Sequence, residues 1–389
     1  MTQPSTRQIH HPYEPPSGFE AVLPAVHKAS TILFQDTQAL RTRSPKGRQG
    51  YAYGTHGTPT TYVLEERIAT LEGGTHCLLA PSGLAAITLV NQALLKTGDE
   101  LLLPDNVYGP SKEQARALLS GWGIGHRFYD SMDPGSLAAA MTPATRLVWI
   151  EAPGSLTMEF PEVDALVATA KARGAITALD DTWGTGLAFS PFDLGVDIAM
   201  QALTKYPSGG GDVLMGAVVT RDSDLNDRLA SARSALGFSV GPNECEGVLR
   251  GLPSIQLRYE AQDRAARELA GWLAAQPEVS RVLHPALPGS PGHAHWSRLC
   301  KGAAGLFSVV FHERYSLAQA DAFVDALALF GHGYSWAGPM SLAVPYDMAL
   351  LRGGKAPYAG HLVRLSIGLE AVEDLRADLE QALAAAFRG

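Results

Sequence analysis

The sequence predicts an α/β protein, with a mostly parallel sheet covered by helices on both faces and a smaller α+β domain after it. Three observations carry this reading. Short apolar runs of strand length alternate with helix-length patterns between His76 and Gln201. The chain has 389 residues, more than one small core accommodates, so two domains are expected. The pattern then changes around Gly251-Leu-Pro253, where a long helical stretch begins. The expected divisions are an arm over residues 1–55, a large domain over 56–252 and a small domain over 253–389.

Taken in order, residues 1 to about 50 lack strong periodicity and carry Pro12, Pro15, Pro16 and Pro24. Such a segment buries little by itself; it is either a flexible arm or one that packs on another subunit. Tyr51 to Thr61 is turn-rich and full of hydroxyls, either a surface loop or a polar wall around an anion. A helix capped near Thr60 runs to Leu71 and stops at Gly73-Gly74. His76–Ala80 is the first strand, and a helix opens at Ser82-Gly83. Glu100–Pro104, Thr145–Glu151, Ala175–Asp180 and Ile198–Gln201 are further strands, and Val163–Arg173 is one of the helical patterns between them. Past the change of pattern, a helix is expected over Ile255–Leu273 with Leu257, Ala261, Ala265, Leu269 and Leu273 on one face. Strands over Gly305–Phe311 and His361–Ile367 and helices over Leu317–Phe330 and Val372–Phe387 complete the small domain.

Composition narrows the function. Hydrophobic residues make up 46% and charged residues 18%, ordinary for a soluble globular protein. A net charge of -8 argues against a general nucleic-acid binder, which needs a basic face. No apolar stretch approaches the roughly 18 residues that span a bilayer, and the first twenty residues lack the apolar core of a signal peptide. Cys77, Cys245 and Cys300 are scattered and odd in number, so no disulfide framework is implied, and His293 and His295 have no third ligand nearby. A cytoplasmic protein is expected.

The chemistry centres on Lys205, between the apolar run at Ile198 and the glycines at Gly209-Gly-Gly211. It is either a solvated loop lysine or a desolvated amine whose lowered pKa lets it serve as a base or Schiff-base nucleophile. The glycines are no phosphate loop of the Walker type, because the lysine precedes them. In parallel sheets ligands bind beyond the carboxyl ends of strands, where Ser82, Tyr108, Glu151, Asp180 and Lys205 all fall. Pyridoxal phosphate (PLP) chemistry asks for a lysine, an acid on the pyridine nitrogen, a phosphate cup and a ring stack. Lys205, Asp180, the helix start at Ser82-Gly83-Leu84 and Tyr108 are candidates in turn. Glu151 receives no role from this reading, and Asp180 or Asp181 equally suits a helix cap.

An ordered set of segments resembles the Cys/Met-metabolism family of PLP-dependent enzymes. The segments are Tyr53–Thr60, Leu71–Gly74, Ser82-Gly83, Tyr108, Glu151–Ser155, Leu179–Trp183, Thr204–Tyr206, His284–Gly289, Tyr334–Trp336 and Arg364–Glu370. The resemblance implies the aspartate-aminotransferase-type fold, PLP as cofactor and a homotetramer built as a dimer of dimers with shared active sites. It implies that Lys205 carries the cofactor and moves the α-proton, that Asp180 keeps the pyridine nitrogen protonated and that Tyr108 stacks on the ring. Gly83, Leu84 and Thr204 are expected at the phosphate, with Tyr53 from a neighbouring subunit. Arg364 is expected on the substrate α-carboxylate, with Ser335 and Trp336 beside it.

Gly154 and Ser155 match the β-cleaving branch, so the expected activity is carbon–sulfur β-cleavage of L-cystathionine to homocysteine, pyruvate and ammonia. The alternatives are a γ-synthase, a γ-lyase or a cysteine-conjugate lyase of the same fold, or a PLP-fold protein that mainly binds a partner. Three residues depart from the family pattern. Thr55 stands where an arginine is usual, Ala202 where a serine is, and Asp181 where an asparagine is; the first two weaken the expected phosphate cup.

Overall fold

The computed structural model describes residues 4–11, 17–18, 21–43, 50–348 and 357–388. Pro12, Pro15 and Pro16 of the arm lie outside them. Among the described residues no helix is long and apolar enough to cross a membrane.

Seven strands form the first sheet: β1 (His76–Ala80), β2 (Glu100–Pro104), β3 (Gly125–Tyr129), β4 (Thr145–Glu151), β5 (Ile176–Asp180), β6 (Ile198–Ala202) and β7 (Gly216–Thr220). Their order is β1-β7-β6-β5-β4-β2-β3. Only β7 runs against its neighbours, pairing antiparallel with both β1 and β6. Away from the edge strand β3, the strands read as mostly apolar runs because both faces are covered. Alternation sends Leu147 and Trp149 of β4, Leu101 and Leu103 of β2, and Ile198 and Met200 of β6 into one core. Val148 and Ile150, Leu102, and Ala199 enter the other.

Helix α1 (Pro59–Glu72) precedes β1, and α2 (Gly83–Leu94) follows it. The cap of α1, expected near Thr60, is Thr58, and the Thr61 hydroxyl accepts the Thr58 N–H at 2.8 Å. Gly73 closes α1 with a positive φ of 76°. Helix α2 is capped by Ser82, whose Oγ accepts the Ala85 N–H at 3.0 Å.

The second sheet contains β8 (Val279–Leu283), β9 (Leu306–Phe311), β10 (Gly331–His332), β11 (Leu342–Tyr346) and β12 (His361–Ser366), in the order β10-β11-β12-β9-β8. One face packs Phe307, Val309, Val363 and Leu365 against α3 (Ile255–Ala274), α4 (Leu317–Asp325) and α5 (Val372–Phe387). On the other, Leu306, Val310 and Leu362 join the core of the first sheet.

Two sequence expectations are corrected here. Helix α4 ends at Asp325, not Phe330. In α3 the buried stripe is Ile255, Tyr259, Gln262, Ala266, Leu269 and Leu273, whereas Leu257 is 71% exposed. A strict four-residue repeat drifts about 40° per step around a 3.6-residue helix, so Leu257 leaves the face that Leu269 and Leu273 occupy.

Helix α5 buries Leu375, Leu379 and Leu383 completely. Replacing Leu379 by Ala is expected to cost about 2–5 kcal/mol. A urea titration reads this as a lower midpoint with unchanged slope.

Candidate active site

The carboxyl ends of β4, β5 and β6 open into a cavity of about 720 Å³. Ser82, Gly83, Leu84, Tyr108, Asp180, Thr204, Lys205, Ser335, Trp336 and Arg364 all line it. Tyr53 does not. It is 48% exposed and forms an isolated bridge with Thr31, away from the cavity of its own chain.

Lys205 sits in the connection that turns β6 back into β7. Thr204 pins that connection: its hydroxyl donates to the Met215 carbonyl at 3.3 Å and accepts the Met215 N–H at 3.1 Å. The hydroxyl proton of Thr204 is thereby directed to backbone rather than into the cavity. Lys205 Nζ donates to Ser335 Oγ at 2.6 Å and lies 5.2 Å from the centre of the Trp336 ring. Burial lowers its pKa to about 8, the positive charge of Arg364 lowers it too, and Asp180 acts in the opposite direction. At about 8, roughly a tenth of the amine is neutral at pH 7, far more than for an ordinary lysine, and a nucleophile or proton acceptor needs that form.

Asp180 ends β5. Its Oδ1 accepts both the N–H of Thr182 at 3.0 Å and its hydroxyl at 2.5 Å. Burial raises its pKa, while those bonds and Lys205 favour the anion. A buried acid at a strand end can hold a protonated ring nitrogen. Opposite it, the α2 N-terminus presents the Gly83 and Leu84 N–H groups, which have no partner within the helix. A Cβ on Gly83 would lie 2.8 Å from the Ala202 Cβ, so this close approach requires glycine. Acid, amine, helix end and cavity together fit PLP.

Tyr108 is 42% exposed on the wall, and its backbone N–H donates to Glu151 Oε2 at 2.8 Å. Burial, then Asp180 and Glu151, hold its phenol protonated. Glu151 is a site residue that the sequence reading left without a role. Burial and Asp180 push its pKa up to about 8. Its other oxygen accepts the Ser155 hydroxyl at 2.6 Å. The sequence shows only that Glu151 ends a strand; its pairing with Asp180 emerges from the register of the two adjacent parallel strands.

From β12, Arg364 donates to the Ser335 carbonyl at 3.2 Å and lies 5.3 Å from the centre of the Tyr346 ring. Ser335 has φ of 100° and Ala337 of 66°, a strained backbone for non-glycine residues.

Fold and cavity define a PLP-dependent enzyme. The chain belongs to the Cys/Met metabolism PLP-dependent enzymes, whose family model matches residues 5–384. It is 41% identical to a putative cystathionine beta-lyase of Rhizobium johnstonii over 385 residues, 98% of this chain and 96% of the relative. It is 42% identical to a cystathionine beta-lyase of Bordetella avium over 382 residues, covering 96% and 94%. Its fold is similar to the crystal structure of cystathionine gamma synthase from Xanthomonas oryzae pv. oryzae in complex with aminoacrylate and cysteine. That similarity has a TM-score of 0.90, 31% identity and 99% coverage of both chains. The protein is a PLP-dependent carbon–sulfur lyase, similar in type to the cystathionine β-lyases.

In the cofactor-free protein, acylation of Lys205 by a small reagent, followed by mass spectrometry, is expected to titrate with a midpoint near pH 8. Arg364→Ala removes a neighbouring positive charge and is expected to move that midpoint upward. A wild-type midpoint above ~10 would contradict the depressed amine.

Proposed function

We propose that the protein cleaves L-cystathionine at the β-carbon, consuming one water and releasing homocysteine, pyruvate and ammonia. One observation carries the reading: Ser335 receives Lys205 at its hydroxyl and Arg364 at its carbonyl. The base for an amino-acid α-proton and the cation for its α-carboxylate are therefore neighbours on one residue. PLP, when bound, supplies the sink for the electron pair left at Cα.

The protein's own residues do the rest. Lys205 Nζ holds the cofactor and then takes the α-proton. Asp180 would keep a proton on the ring nitrogen, and Tyr108, on the loop held by Glu151, would flank the ring. Gly83 and Leu84 donate backbone N–H groups to the phosphate, with Ser82 and Thr204 beside them and Tyr53 reaching in from a second subunit. Arg364 binds the α-carboxylate, flanked by Ser335 and Trp336, and orients the Cα–H bond. Trp336 also shields the amine from water. The assembly in this reading is a cytoplasmic homotetramer, a dimer of dimers, with residues 1–55 as an arm against the neighbouring subunit. Residues 56–252 form the large domain and 253–389 the small one. The names of the two β-lyase relatives and the Gly154-Ser155 turn support β-cleavage. The similarity to a γ-synthase structure favours γ-chemistry as the second reading.

Incubating the PLP-loaded protein with L-cystathionine separates them. Pyruvate with homocysteine is the expected result; 2-oxobutyrate with cysteine would move the protein to the γ-acting branch. Lys205→Ala is expected to lose turnover by about 10³-fold or more, since no other amine takes its place. Arg364→Ala, which removes two charge-assisted hydrogen bonds to the substrate, is expected to lower kcat/KM by roughly 10²–10³-fold.

A further inference from the structure

Behind the Asp180 end of β5, outside the cavity, two more carboxyl groups meet. Glu72 is the last residue of α1 and Asp181 follows β5; they are 1% and 0% exposed. Glu72 accepts the Gln201 amide, and Gln201 in turn accepts the Thr185 hydroxyl at 2.7 Å. Asp181 Oδ2 accepts the Gly186 N–H at 2.8 Å. Glu72 Oε2 and Asp181 Oδ1 are left buried with no donor. The two side chains are nevertheless within hydrogen-bonding distance of one another. The titratable groups facing the pair are Asp180, Tyr259 and Cys300. Burial holds the last two in their neutral forms, and none of the three is a cation.

Two touching carboxylates with no neighbouring cation cannot both remain charged in a dry interior. A single proton between them gives both orphaned oxygens a partner and leaves one negative charge on the pair. We propose that Glu72 and Asp181 share one proton and act as a positioning pair for Asp180, and through it for the proton on the PLP ring nitrogen. The route is short. Asp181 accepts the Thr185 N–H at its carbonyl, 2.6 Å, and the Gly186 N–H at its carboxylate, fixing the turn after β5. Thr182, in that turn, supplies both hydrogen bonds to Asp180. Neither Glu72 nor Asp181 lines the cavity, so neither touches cofactor or substrate. The inference rests on the cofactor and not on the choice of thioether.

The sign of the pH effect follows. A carboxyl whose pKa is raised by folding is protonated in the native state and ionised in the unfolded chain above about pH 4.5. Its contribution is complete below that pH and fades as pH rises through the raised native value. Glu72→Gln and Asp181→Asn each replace the shared proton with an amide donor and keep the single charge.

Two measurements on these variants decide the matter. Denaturant unfolding of the cofactor-free protein between about pH 5 and 8 is expected to separate wild type from either variant. The wild-type unfolding constant gains an extra factor of about ten per pH unit. In the holoprotein, the visible absorption of bound PLP is expected to titrate in wild type with a component that both variants lose, over and above the titration of Glu151 and Lys205 that all three proteins share. Equal unfolding slopes would overturn the shared proton. An altered slope with an unchanged absorption titration would overturn the positioning role and leave the pair structural. Either variant suffices should the other fail to fold.

Discussion

Lys205 carries its amine into a wall where solvent is scarce, and a cation there has lost much of its hydration. Burial and the like charge of Arg364 lower the pKa, while Asp180 opposes them, and the balance falls at about 8. Each of these neighbours arrives from a different place in the chain. Asp180 comes from the end of β5 and Arg364 from the middle of β12, while the lysine occupies the return from β6 to β7. A buried amine near neutrality tolerates little movement of these groups, because Coulomb terms in a low-dielectric site change steeply with distance. The reciprocal bonds between Thr204 and Met215 are therefore as much a part of the site as the residues that line it.

The first sheet was legible because strands covered on both faces are written as mostly apolar runs that stop where the chain emerges. Asp180, Glu151 and Lys205 lie at or just past such stops. What escaped has physical reasons. Strand β3, Gly125–Tyr129, is the sheet edge, so its polar His126 and Arg127 break the apolar signal. Strand β7 follows a glycine-rich connection and runs antiparallel, which no local pattern encodes. Strand β11 contains Pro345, and its neighbour β10 is only two residues long and pairs at Leu342 and Ala343. Among the described residues β10 pairs with none of β11 past Ala343, so Pro345 falls where that side of the strand carries no ladder. The cavity residues were named largely through family resemblance, whereas the role of Glu151 and the contact of Glu72 with Asp181 depend on three-dimensional register.

Gly154 illustrates how one residue answers two constraints. In the sequence, together with Ser155, it reads as a mark of reaction branch. In the structure a Cβ at Gly154 would lie 2.0 Å from Asn106 Nδ2, so the turn closes only around glycine. Asn106 donates to Glu159 at 2.6 Å, and its carbonyl accepts the Ser155 N–H at 3.0 Å. That turn delivers the Ser155 hydroxyl to Glu151, and Glu151 holds the backbone of Tyr108. Packing, acid and the backbone of Tyr108 are thus one mechanical unit.

Ser335 has a left-handed backbone, one bond to Lys205 and one to Arg364. It ties the return from β6 to β7, through Lys205, to β12 of the second sheet, through Arg364. A hydrogen bond of 2.6 Å has almost no slack, so a slip between the sheets would first appear as a change in the proton affinity of one amine. The lysine amine is, in effect, a gauge of how the two sheets are seated. Substitutions in the packing of α3 or α5 that shift the second sheet would register at the lysine as altered chemistry as well as in stability.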